Sequence, residues 1–84
     1  MKDVMIVTGA GQISMAIARR IGYGKKIIMG DKRIENAKTI AEVMNNAGFD
    51  VVPFEMDLSS RESIFNMIDE AKKYGPITML ANGA

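Results

Sequence analysis

"MIVTGAGQISMAIARR", residues 5–20, decides how the rest of the chain is read. A short apolar run ends at Thr8, breaks into Gly9-Ala10-Gly11, and resumes with helical spacing. The first glycine allows the tight bend from strand to helix, and the second lets backbone approach a pyrophosphate that a side chain would hold off. The helix that follows offers its first N–H groups and the positive end of its dipole to an anion. The dinucleotide fingerprint G-x-G-x-x-G therefore runs Gly9-Ala10-Gly11-Gln12-Ile13-Ser14, with serine where a third glycine would bring helix and strand together. The hydroxyl of Ser14 is expected to bond back to a helical carbonyl or to reach a phosphate oxygen. Helix packing should loosen slightly, and Ser14→Gly should leave binding intact or tighten it.

Outward from this turn the chain alternates. Val4 to Thr8, Lys26 to Gly30, Val51 to Glu55 and Ile77 to Ala81 are short, largely apolar runs bounded by Gly, Asp or Pro, and they read as buried strands. Three helical segments separate them. The first runs from about Gln12 to Ile21 with Ile13, Ile17 and Ile21 on one side. The second places Ile34, Ala37, Ala41 and Met44 on its inner face and closes at Ala47-Gly48. The third opens at Ser59-Ser60-Arg61-Glu62, a capping-box spacing with Ser59 as cap, and turns Ile64, Ile68 and Ala71 inward. The order βαβαβαβ predicts an α/β fold, a Rossmann-like doubly wound parallel sheet of four strands and three helices, three-layered when complete. Its fourth strand should return beside the first, making a switch point next to Gly9-Ala10-Gly11.

Two strand-end acids fall where such a site needs them. Asp31 stands twenty positions after Gly11, where a carboxylate can accept both hydroxyls of an adenosine ribose. Its charge would repel a 2′-phosphate, favouring NAD, while Lys32-Arg33 leaves NADP possible; the competing reading is a cap for the next helix. Asp57, in "FEMDLSS", has three readings: an adenine contact assisted by the Leu58 N–H, turn chemistry before a helix, or the acceptor of a phospho-receiver domain. The last needs acids after the first strand to hold magnesium, and Thr8-Gly9 stands there. No Gly-Lys-Ser/Thr follows that strand either, so a P-loop is excluded.

Composition narrows the chemistry further. Among 84 residues there is no cysteine and no histidine, which removes disulfides, usual zinc sites and Ser-His or Cys-His nucleophile pairs. A net charge of +1 provides no field to recruit nucleic acid or an anionic membrane, and two of the four basic pairs fall at expected helix ends. The eight methionines are scattered through the elements and read as core filler. No long apolar segment suggests a leader or a membrane span, so a cytoplasmic address is expected.

Taken together, these residues resemble the amino-terminal half of the short-chain dehydrogenase/reductase family. "VTGAGQISMAIARR" is similar to its cofactor turn, "GDK" to its ribose acid, "MDLSS" to its adenine aspartate, and "MLANGA" to the Asn-Ala-Gly segment after its fourth strand. The resemblance implies a cofactor site drawn from Gly9, Gly11, Gln12, Ile13, Ser14, Asp31, Lys32, Asp57, Leu58, Asn82, Gly83 and Ala84, with no metal. It implies hydride transfer between NAD(P) and an alcohol or carbonyl; the alternative is a non-catalytic nucleotide-binding or dimerising module. The loop is one residue shorter than the family's T-G-x-x-x-G-x-G, and Asn82-Gly83-Ala84 matches Asn-Asn-Ala-Gly only in part. Asn45-Asn46-Ala47-Gly48, the literal string, closes the second helix and reads as a cap. The family's Tyr-x-x-x-Lys pair is absent: Tyr23 is followed four on by Ile27, and Tyr74 by Thr78. No residue here is expected to catalyse. An open edge strand and an incompletely covered sheet lead to the expectation that residues 1–84 belong to a longer single-domain enzyme, forming a homo-oligomer.

Overall fold

Each residue of Val4–Thr8 is buried, as a strand covered on both faces requires. The computed structural model describes residues 2–9 and 11–82. It orders them as β1 (Val4–Thr8), α1 (Gln12–Ile21), β2 (Lys26–Asp31), α2 (Ile34–Asn46), β3 (Asp50–Glu55), α3 (Arg61–Lys72) and β4 (Ile77–Asn82). The strands form one parallel sheet in the order β3-β2-β1-β4, so the fourth does return beside the first. Register brings Thr8 level with Gly30 on one side and Asn82 on the other. The C-terminal ends of the three strands therefore share one rim, with the turn after β1 at its centre.

The period-two alternation of each strand divides the core between two faces. Met5, Val7, Ile27 and Met29 pack with Ala37, Ala41 and Met44 of α2 and Ala18 of α1. Val4, Ile6 and Ile28 face the other way, against Met56 and against Met67 and Ala71 of α3. Two helices thus cover one face and one covers the other. Met5, Met29, Met44, Met56 and Met67 are all buried, the gap-filling role expected of them.

Two helix faces differ from expectation. In α1 the buried residues are Ser14 and Ala18, whereas Ile13 is 71% exposed and Ile21 43%. The fully buried stripe is the small one, Ser14, Ala18 and then Gly22; Ile17 and Met15 are half-buried against the core, while Ile13 and Ile21 are displaced to the flank. In α3 the buried pair is Met67 and Ala71, while Ile64 and Ile68 are only half-buried beside an apolar cleft of about 230 Å³ that also touches Ile77 and Leu80. Leu80, on edge strand β4, is 68% exposed.

Local chemistry sets the boundaries. The cap of α3 is Ser60, one residue later than Ser59, because its side chain accepts from the Ser63 N–H. Gly48, at φ +97, ends α2 with its N–H on the Asn45 carbonyl. The Asn45 amide clamps Val51, donating to its carbonyl at 3.0 Å and accepting from its N–H at 2.8 Å. That string is structural, as its position indicated.

At the opposite end of the sheet, Asp50 bridges Lys2 and Lys26, each at 3.0 Å, and Lys26 lies 4.6 Å from the Tyr74 ring centroid. Partial burial opposes ionisation of Asp50 most strongly. The hydrogen bonds and charges of Lys26 and then Lys2 together outweigh it, leaving the carboxyl below its ordinary 3.8. A depressed folded value means this contribution is present above pH 3.8 and is lost as pH falls through the folded value. Asp50→Asn should cost less than about 1 kcal/mol at neutral pH, since the pair is partly solvated, and should flatten the acid limb of a denaturant-measured stability profile. An unchanged acid limb would assign the loss to other carboxylates.

Candidate functional site

The turn after β1 is built by three features. Gly9 takes φ +81, a conformation that strongly favours glycine, and its N–H donates to the Gly30 carbonyl at 2.7 Å. Gly11 is the N-cap of α1 in extended geometry, with no side-chain cap bond, and a Cβ built on it would meet nothing within 4 Å. Ser14, only 1% exposed, donates its hydroxyl to the Gly9 carbonyl. Its partner within the chain is therefore the turn itself and not a helical carbonyl. Gln12 and Ile13 occupy the exposed first turn of α1.

Sequence-distant residues meet at this turn. Gly9, Asp31, Lys32, Met56, Asp57 and Leu58 line one cleft of about 260 Å³ at the C-terminal ends of β1, β2 and β3. Asp31 ends β2, and its Oδ1 accepts from the Arg33 N–H at 2.8 Å. It shapes the turn into α2, whose N-cap is Arg33, and is not itself the cap. Asp57 performs turn chemistry: its Oδ1 accepts from the Ser59 hydroxyl at 2.7 Å and the Ser59 N–H at 2.9 Å. Those two bonds, with Lys32 nearby, hold its carboxyl below the usual 3.8.

Asn82 ends β4, on the side of β1 away from β2, where its Oδ1 accepts from the Thr8 hydroxyl at 2.8 Å; with Thr8 and Leu58 it lines the neighbouring apolar cleft. Gly83 and Ala84 lie outside the described residues. Three contributors escaped the sequence reading: Met56, 2% exposed in the cleft wall; Thr8, which orients Asn82; and Ser63, whose Oγ accepts from the Asp57 N–H at 2.9 Å. A methionine between a strand and an aspartate carries no signal of its own. Thr8, immediately before the first glycine, was the nearest to legible. Among the described residues no three His, Cys, Asp or Glu gather to hold a metal, and no helix is long and apolar enough to cross a membrane.

A parallel sheet with a switch point, a glycine turn at that point and acids at the next two strand ends define a nucleotide-binding Rossmann-type α/β class. The short chain dehydrogenase family model matches residues 3–84, and the chain belongs to that family. It is 30% identical over 76 residues to short-chain dehydrogenase/reductase bsc3 of Alternaria brassicicola, covering 90% of this chain and 28% of that protein. A variant of actinorhodin polyketide ketoreductase, solved with NADPH, superposes with a TM-score of 0.90 at 29% identity, over 99% of this chain and 33% of its own. A short-chain dehydrogenase/reductase from Burkholderia phymatum in complex with NAD shares the fold, with a TM-score of 0.84 at 23% identity over 94% of this chain and 29% of that one. The chain thus spans about a third or less of the length of these relatives.

Proposed function

We propose that residues 1–84 are the dinucleotide-binding portion of a longer single-domain, cytoplasmic short-chain oxidoreductase that moves hydride between NAD(P) and an alcohol or carbonyl substrate. The observation that carries this is the single cleft shared by Gly9, Asp31, Asp57 and Leu58 beside the N-terminus of α1. The open space over Gly11, which a Cβ would enter without meeting protein, fits a pyrophosphate against backbone. In this reading the phosphates lie over Gly9 and Gly11 and the first-turn backbone of Gln12, Ile13 and Ser14. The ribose hydroxyls go to Asp31, and the adenine to the Asp57 carboxylate and the Leu58 N–H. Asn82, at the end of β4, stands on the nicotinamide side. The bound nicotinamide supplies the hydride chemistry; these residues bind and orient it, and none of them handles the reacting proton. The open β4 edge, with Leu80 exposed, supports further covering structure and a homo-oligomer.

NAD is the favoured cofactor because the Asp31 carboxylate, pre-oriented by the Arg33 N–H, would repel a 2′-phosphate. Lys32 on the same cleft keeps NADP within reach. Asp31→Ala should weaken NAD about tenfold, the scale of one lost charge-assisted hydrogen bond, while changing NADP much less. Calorimetric titration of both cofactors checks this. Equal losses would make Asp31 a turn-former only.

A further inference from the structure

We infer that Ser14 is a positioning residue of the phosphate turn, its hydroxyl holding the Gly9 carbonyl oxygen away from the anion site. The inference rests on the dinucleotide reading above. Gly9 sits at the bend with φ +81, and both of its polar groups are hydrogen-bonded, to different elements. Its N–H is bonded to the Gly30 carbonyl of β2, and its carbonyl accepts the Ser14 hydroxyl from the first turn of α1. Gly9 also lines the cleft.

A glycine peptide rotates more readily than any other, and a carbonyl oxygen swung toward the cleft would set a negative partial charge against a pyrophosphate. Ser14 prevents that rotation. At 1% exposure its hydroxyl is shielded from exchange with water, and its bond to Gly9 turns it away from direct phosphate contact. Gly11, the N-cap of α1, has no side chain to do the same work. Glycine at position 14 would pack closely but could donate nothing. The departure from the fingerprint thus replaces a close contact with a tether, which reverses the expectation that Ser14→Gly is harmless.

The test is titration of the full-length protein with NAD, ADP and adenosine, which differ in carrying or lacking phosphates. Ser14→Ala, nearly isosteric, should bind NAD and ADP about five- to tenfold more weakly, with adenosine unchanged, as expected for one lost hydrogen bond. Ser14→Gly should show the same split, and it keeps the test readable if the alanine variant melts early. Unchanged ADP affinity in Ser14→Ala, an equal loss for adenosine, or tighter ADP binding by Ser14→Gly would each overturn the inference. Should the unsubstituted protein bind none of the three probes, the dinucleotide reading falls and takes this inference with it. Binding that is indifferent to Ser14→Ala overturns the inference alone.

Discussion

Gly11→Val is expected to abolish dinucleotide binding, lowering affinity at least about a hundredfold, or about 2.7 kcal/mol, while the chain still folds. The two halves of that expectation come from separate observations. Gly11 has φ −159 and ψ −174, extended backbone that any residue adopts, so valine is not strained there. A Cβ at this position meets no protein atom within 4 Å, so nothing in the fold resists it. The cost to stability is confined to a poorer N-cap, about 1 kcal/mol, and no side-chain cap bond exists to be lost. The branched side chain would instead occupy the space proposed for the pyrophosphate and screen the first-turn N–H groups of α1 from it. Calorimetry with NAD, beside a thermal melt of the same sample, separates the two effects. A folded variant that binds as well as the parent would show that phosphate does not approach the backbone at Gly11.

The strands were legible because a strand covered on both faces is written as an uninterrupted apolar run, and Val4–Thr8 and Lys26–Asp31 are such runs. The buried face of α2 was legible for a related reason: Ala37, Ala41 and Met44 are the apolar residues at helical spacing and also the ones in contact. In α1 these two properties separate. Hydropathy selects Ile13, Ile17 and Ile21, but the fully buried positions are the small residues Ser14 and Ala18; of the three isoleucines only Ile17 packs against the core. Periodicity reports which face is apolar, not how close that face comes. In α3 the same separation arises at the sheet edge, where β4 has no further neighbour among the described residues and Ile64 and Ile68 overhang a cleft.

The site divides along similar lines. Asp31 and Asp57 could be placed from sequence because each follows a strand end, and parallel strands bring their C-terminal ends to one rim. The hydroxyl of Thr8 could not be paired with Asn82 from spacing alone, since 74 positions separate them and only the β1–β4 register brings them together. For Asp57, the turn-forming bonds do not compete with the proposed adenine contact. Both Ser59 bonds fall on Oδ1, which fixes the carboxylate plane beside the cleft without consuming Oδ2 among the described residues.

Gly22→Ala should destabilise the fold by about 2–3 kcal/mol through overpacking. For a domain of this size that corresponds to a fall in Tm of about 10–20 °C. Gly22 sits at φ −93 and ψ −4, conformations open to any residue, so backbone strain is not the cause. The cause is proximity: an added Cβ would stand 2.5 Å from the Ala18 carbonyl oxygen and 2.7 Å from Ile27 Cδ1. The Ala18 carbonyl is backbone and cannot yield cheaply, and β-branched Ile27, fully buried, is stiffer than a methionine. Gly30→Ala is the informative control, because its Cβ would also meet an atom at 2.7 Å, but that atom is the Sδ of Met67. A thioether on a flexible chain can move, so Gly30→Ala should cost clearly less. Equal losses would mean that closeness alone, and not the rigidity of the neighbour, sets the penalty. Ile27→Val removes Cδ1 and leaves the carbonyl contact, so adding it to Gly22→Ala should cost less than the sum of the single changes. Additive losses would instead assign the whole effect to the Ala18 carbonyl. The methyl group at Gly22 would then act by breaking the last turn of α1, not by lifting the helix from the sheet.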